Sequence, residues 1–263
     1  MKILLTGLAN IYKVFGQQSL GSALIIKLPT CIHIEGNLKF CYISGLLEAL
    51  YQALISERSI SEVLLCAKLG KFPRTRKEYY EIFEKTFMFS KDTDLKMAIG
   101  FAPALLLFAW YLKKKHGCLP KDLWDLRIIL ATGVPYIHDF YKAPLLKAYG
   151  DQAAIIELYG ATEALVAMQI DEQPYITPFY NLYFLEIITE KEVKMLHELK
   201  EGELGTLIIS TPILSRYNLG DLIECIEERR YFKVHGRSRF RTRLRVKTER
   251  LFKKIANCVL EIL

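Results

Sequence analysis

The chain has 263 residues, half of them apolar and a quarter charged, which allows one large or two modest domains with a core that needs no disulfide or metal staple. The six cysteines and five histidines are scattered, without Cys-x-x-Cys or His-x-x-x-His spacing, which argues against a metal cage and a secreted disulfide framework and suits buried thiols in a reducing cytoplasm. The net charge of +7 is uneven: residues 229–254 hold twelve Lys or Arg and one Glu, a local +11 that leaves the rest at −4.

The first eight residues carry one Lys and a short apolar run with no small-residue cleavage site, so no signal peptide is read there. Residues 23–26 and 31–34 are apolar runs of strand length. Leu46, Leu47, Leu50, Tyr51 and Leu54 make one stripe of a helix over 44–55, and 61–69 reads as a second helix. Residues 79–89 repeat Phe and Tyr at helical spacing, the mark of a core-facing helix. Asp92 or Thr93 is placed to cap the next helix. The longest apolar run, 97–112, is shorter than the ~20 residues of a membrane span and contains Pro103, so it reads as a buried helix. A strong helix candidate, 104–115, closes at His116-Gly117. Residues 126–131 form a buried strand broken by Thr132-Gly133-Val134-Pro135; a helix over 138–149 and a strand over 154–159 come after it. Such alternation predicts a parallel α/β unit with ligand-binding loops at the strand ends. From residue 180 the pattern changes to strands at 183–188, 204–210 and 222–227 with short turns, an antiparallel sheet or small barrel.

Three motifs carry chemistry. Tyr159-Gly160-Ala161-Thr162-Glu163 sets an aromatic face, a hydroxyl and a carboxylate at a strand end, suited to a purine, a phosphate oxygen and Mg²⁺. Taken alone, Thr and Glu after a glycine also suit a helix start. Arg216-Tyr217-Asn218-Leu219-Gly220-Asp221, preceded by Gly202-Glu203-Leu204-Gly205, offers a carboxylate in a Gly-Asp turn that can accept ribose hydroxyls; alone it reads as a strand turn. His235-Gly236-Arg237 offers a guanidinium for ribose or phosphate, or else a solvated turn.

The ordered set closely resembles the adenylate-forming ligase superfamily, most of all its phenylacetate–CoA ligase and auxin-responsive acyl–amino acid synthetase branches. The resemblance spans about residues 95–245. It implies an α/β fold: part of a large N-terminal adenylating domain, with a parallel sheet flanked by helices (1–179), a small antiparallel β subdomain (180–234) and the start of a C-terminal lid (235–263). It also implies that Tyr159 stacks on adenine beside Gly160, that Thr162 contacts the α-phosphate and that Glu163 holds Mg²⁺. Asp221 would hold the ribose, with Arg237 nearby. Thr132-Gly133-Val134-Pro135 takes the place of a Gly-rich loop beside adenine, with Gly133 at its centre, and Arg239 falls near the hinge. The implied reaction is ATP-dependent activation of a carboxylic acid to acyl-AMP, then transfer to CoA or an amino acid amine. Aromatic and apolar residues around Phe101 to Trp110 suggest an apolar or aryl acid.

The sequence departs from this family in two places. Ser19-Leu20-Gly21-Ser22 lacks the glycine density and the Lys of the family's phosphate loop, and the lid lysine has no counterpart. The expectation is therefore a partial or split enzyme, with a separate chain supplying the missing segments, or a nucleotide-binding scaffold. A further alternative is a nucleic-acid-binding module: Arg239, Arg241, Arg243, Arg245 and Lys247 alternate with uncharged residues, and as a strand would put every cation on one face.

Overall fold

In the computed structural model the described residues are 22–26, 31–35, 38–41, 75–161, 163–212 and 214–249. The helices expected over 44–55 and 61–69, the stretch 19–21 and Thr162 lie outside them. The chain divides into two compact units, residues 1–174 and 175–263.

In the first unit four parallel strands run in the order β1 (Ser22–Ile26), β4 (Leu95–Phe101), β5 (Ile128–Thr132), β6 (Ala154–Gly160), and β7 (Leu165–Met168) returns antiparallel beside β6. A separate antiparallel pair joins β2 (Cys31–Glu35) to β3 (Leu38–Cys41). Ile128, Ile129, Leu130 and Ala131 are all buried, as a central parallel strand covered on both faces requires.

Helix α1 (Arg76–Ser90) opens with a reciprocal cap: the Glu78 amide donates to Thr75 Oγ1 at 3.3 Å, and the Thr75 amide donates to Glu78 Oε2 at 3.0 Å. Phe83 packs edge-on against Phe108 of α2 (Ala102–His116), with ring centres 5.4 Å apart. Leu105, Phe108, Ala109 and Leu112 form the buried stripe of α2. A short helix α3 (Pro120–Leu123) precedes β5. The Trp124 indole donates to the Ser90 carbonyl at 3.0 Å, and Tyr149 Oη donates to the Leu105 carbonyl at 2.8 Å. Both buried aromatics thus have partners for their polar ends.

Two expectations change here. The apolar run 97–112 is a strand end and a helix, not one helix; it divides at Phe101, because Pro103 suits the first turn of α2 and not its interior. Asp92 and Thr93 therefore sit in the turn leading into β4 and cap no helix. The segment 138–149 is helical as expected, one π-helical turn (Ile137–Tyr141) running into α4 (Lys142–Tyr149).

The second unit is an antiparallel sheet ordered β10 (Val193–Met195), β9 (Phe184–Ile188), β11 (Leu204–Ser210), β12 (Tyr217–Glu227), β13 (Tyr231–Arg237). A short β8 (Thr177–Pro178) adjoins Ile176, which bridges Phe232. Gly205 lies where β9 presses closest: any Cβ there would collide with the Ile187 side chain and the Ile188 carbonyl.

Residues 240–249 are helical, which overturns the expected strand. At about 100° per residue, Arg241 and Arg245 share one stripe and Arg243 and Lys247 another, roughly opposite. Arg243 donates to Thr206 Oγ1 (2.8 Å) and Ser238 Oγ (3.1 Å), and Lys247 pairs with Glu190 at 2.6 Å. Val246 is buried at the same junction. The cations therefore form no single face and are partly engaged within their own unit, which removes the geometric basis of the nucleic-acid reading. Among the described residues no helix is long and apolar enough to cross a membrane.

Candidate functional site

The residues singled out from the sequence fall into two clusters, one per unit. In the first unit, strand register brings the carboxyl ends of β4, β5 and β6 level: Phe101 pairs with Thr132, and Thr132 with Leu158. Gly133 is the next residue after β5 and Tyr159 the next on β6, so both belong to this end of the sheet. Gly133 has φ +85°, and a Cβ there would strike the Phe101 ring, so the loop passes directly beneath that ring. Of the aromatics between 101 and 110, only Phe101 lies at this edge. Phe108 is in the core, and Trp110 takes Arg76 and Lys114 against its face.

Beyond Tyr159 the chain turns back. The Ala161 amide donates to the Ala164 carbonyl at 2.9 Å, and β7 begins at once. The motif thus leads from β6 into an antiparallel strand and not into a helix. Glu163 sits half-buried in this turn, and Thr162 falls outside the described residues.

Gln169, which no sequence motif marks, supports the edge from behind. It is almost fully buried. Its Oε1 accepts from the Glu157 amide (3.0 Å) and lies 2.9 Å from His138 Nε2, while its Nε2 donates to the Asp171 carbonyl at 2.9 Å. An amide oxygen only accepts, so His138 carries its proton on Nε2 in this contact. One side chain thus ties the π-turn after the Gly133 loop to the strand that presents Tyr159. The signal that could have found it is a polar residue that continues a fully apolar strand.

In the second unit, Asp221 and Arg237 are cross-strand partners on β12 and β13. Arg237 Nε lies 3.6 Å from Asp221 Oδ1, and the guanidinium also donates to the Leu219 carbonyl. The aspartate side chain is largely buried, while the arginine is largely exposed. The expected Gly-Asp turn is instead an irregularity inside a continuous strand: register shifts between Asp221 and Ile223, and Gly220 takes φ +73°. The Gly220 amide donates to Asn218 Oδ1 (2.8 Å), and its carbonyl accepts from the Ser238 amide (2.7 Å). Arg216 is drawn away to Glu186, which it meets at 3.1 Å through both Nε and a terminal nitrogen. One rung below, buried His235 contacts Glu224 at 2.5 Å and fixes the hairpin that carries Arg237.

Solved structures match this fold. No protein-family model and no curated protein matches the sequence. The GH3.15 acyl acid amido synthetase aligns over 90% of this chain and 53% of its own, with 16% identity and a TM-score of 0.67. An open conformation of 2-hydroxyisobutyryl-CoA ligase, in complex with 2-HIB-AMP and CoA, aligns over 88% of this chain and 52% of its own, with 13% identity and a TM-score of 0.55. The Vibrio cholerae adenylation domain AlmE, in complex with glycyl-adenosine-5'-phosphate, aligns over 89% and 43%, with 15% identity and a TM-score of 0.51.

The chain has the fold of the adenylate-forming ligases.

It spans about half the length of these structures. Within the adenylate-forming fold, the parallel sheet and its hairpin belong to the first unit and the Asp221–Arg237 rung to the second. Among the described residues no three His, Cys, Asp or Glu side chains cluster as a metal cage. Mg²⁺ does not need one, since it binds through one or two carboxylates completed by substrate phosphates and water. Glu163, a single half-buried carboxylate in a turn, fits that demand.

Proposed function

We propose that this chain is the nucleotide-binding part of an enzyme that activates a carboxylic acid with ATP and passes the acyl group to CoA or an amine. The Asp221–Arg237 rung carries the reading: a carboxylate held at a strand irregularity beside an anchored guanidinium, in a fold shared with enzymes whose structures contain acyl-AMP. Asp221 accepts the ribose hydroxyls, and Arg237 lies against the same sugar and its phosphate. Tyr159 offers its ring to adenine, with Gly133 and Gly160 letting the base approach the backbone. The Thr162 hydroxyl donates to an α-phosphate oxygen, and Glu163 orients Mg²⁺, which neutralises charge on the phosphates when bound.

In the first step a carboxylate oxygen attacks the α-phosphorus and the bond to pyrophosphate breaks. In the second a thiol or amine attacks the acyl carbon and AMP departs. The exposed ring of Phe101 at the strand edge supports an apolar or aryl acid as substrate.

Calorimetry with AMP and Mg²⁺ tests the site. Asp221→Ala is expected to weaken AMP at least about tenfold, the cost of losing a charge-assisted hydrogen-bond acceptor. Equal affinity in both proteins would remove Asp221 from the ribose. Acid-dependent exchange of labelled pyrophosphate into ATP is the assay for catalysis; AMP binding without exchange assigns the chain a scaffold role.

A further inference from the structure

The second unit contains a cavity of about 670 Å³ that includes neither Asp221 nor Arg237. Its wall is formed by Tyr180, Tyr183, Phe184, Met195, His197 and Arg229. The size is that of a small-molecule site, and the wall is mostly aromatic and apolar. Phe184, at the start of β9, is 72% exposed and so presents its ring at the mouth of this cavity.

Two polar groups stand out against this wall. The Tyr180 hydroxyl is buried with no hydrogen-bond partner among the described residues, while its ring meets His197 edge-on at 6.1 Å. Burial pushes the phenol up, and the nearby charge of Arg229 pulls it partly back, so the hydroxyl stays a donor. Arg229 forms no ion pair among the described residues, although its neighbour Arg230 faces Glu227. It also occupies a left-handed position, φ +66°, in the β12–β13 hairpin, where Gly or Asn is the lower-energy choice. The hairpin explains the backbone angle; it does not explain an arginine there.

The geometry points to a second small-molecule site in which Arg229 holds the carboxylate of a small aryl acid whose ring lies against Phe184 and Tyr183. A single cation above an aromatic wall suits a monoanion with an apolar body; a nucleotide's phosphates would call for more than one. Tyr180, the donor without a partner, is next to that cation and gains an acceptor when the carboxylate arrives. This site is independent of the adenylation reading.

The probe is phenylacetate, compared with benzyl alcohol, which keeps the ring and lacks the charge. The reporter is the methyl resonance of Met195, followed by NMR in full-length protein carrying ¹³C-methyl methionine. Met97 and Met168, buried in β4 and β7, are internal controls in the first unit. Phenylacetate is expected to shift Met195 saturably and leave Met97 and Met168 in place. Benzyl alcohol should bind about tenfold more weakly, the value of one charge-assisted contact. Arg229→Gly, which relieves the backbone angle while removing the guanidinium, should erase that difference. Tyr180→Phe should weaken phenylacetate by a smaller factor, and Asp221→Ala should change nothing. Shifts confined to Met97 or Met168, indifference to Arg229→Gly, or no Met195 shift at millimolar phenylacetate would overturn the proposal. So would a Met195 shift that tracks protein concentration alone, which would make the cavity a contact between copies.

Discussion

At the residue scale, several side chains act through what they join. Gln169 serves three groups at once, so Gln169→Leu, which keeps the volume, leaves the Glu157 amide and His138 without their acceptor. Each orphaned buried group costs about 1–3 kcal/mol. The expected result is a loss of stability in urea titration larger than that of an ordinary surface change, together with weaker AMP binding as the Tyr159 edge loosens. Glu84 is the titrating counterpart. Burial works against its charge, but hydrogen bonds from Tyr111 (2.5 Å), His116 (2.9 Å) and Lys115 (3.0 Å) outweigh it and draw it from an ordinary 4.5 down to about 2. A lowered folded-state value means the contribution is complete above pH 4.5 and disappears as pH falls toward about 2. Glu84→Gln should therefore flatten the fall in stability between pH 5 and pH 2, measured by denaturant titration across that range; an unchanged slope would exclude the role.

At the element scale, two features decide whether the second unit keeps its shape. β11 and β9 approach so closely that Gly205→Ala must displace Ile187 or bend a strand. Overpacking of this kind costs about 1–3 kcal/mol, which a urea titration should show directly. Helix 240–249 is held by Arg243 on Thr206 and Ser238, by buried Val246 and by Lys247 on Glu190. Arg243→Ala should lower amide protection across 240–249 by about tenfold, with little change in β11 or β12, since one clamp of charged hydrogen bonds is lost. Equal loss of protection throughout the unit would mean that the arginine supports the sheet and not the helix.

At the scale of the whole molecule, charge is an unreliable guide to partners. The net +7 comes from one segment, and the structure winds part of that segment into a helix whose cations point in different directions. A short RNA is therefore expected to bind weakly, with affinity falling by orders of magnitude between ~50 and ~200 mM salt, and AMP affinity should be far less salt-dependent; tight, salt-resistant RNA binding would reinstate the nucleic-acid reading. The fold class was legible because its strands are local apolar runs: residues 126–131 and 204–210 nearly coincide with β5 and β11, and the ordered motifs pointed to the adenylate-forming fold. What local pattern could not reveal was everything settled by partners distant in sequence. The run 97–112 is equally apolar as strand or helix, and Pro103 together with pairing to β1 and β5 divides it. The alternating arginines fit a strand by period, but burial of Val246 and the Arg243 clamp favour a helix. Gly220-Asp221 reads as a turn until β13 pairs alongside and makes it a kink in a long strand. The sequence by itself determined which chemistry-bearing residues exist and in what order. Only the tertiary structure decided that the ends of β5 and β6 lie level and that Asp221 meets Arg237, because strand register, a property of two chain segments at once, brings them together.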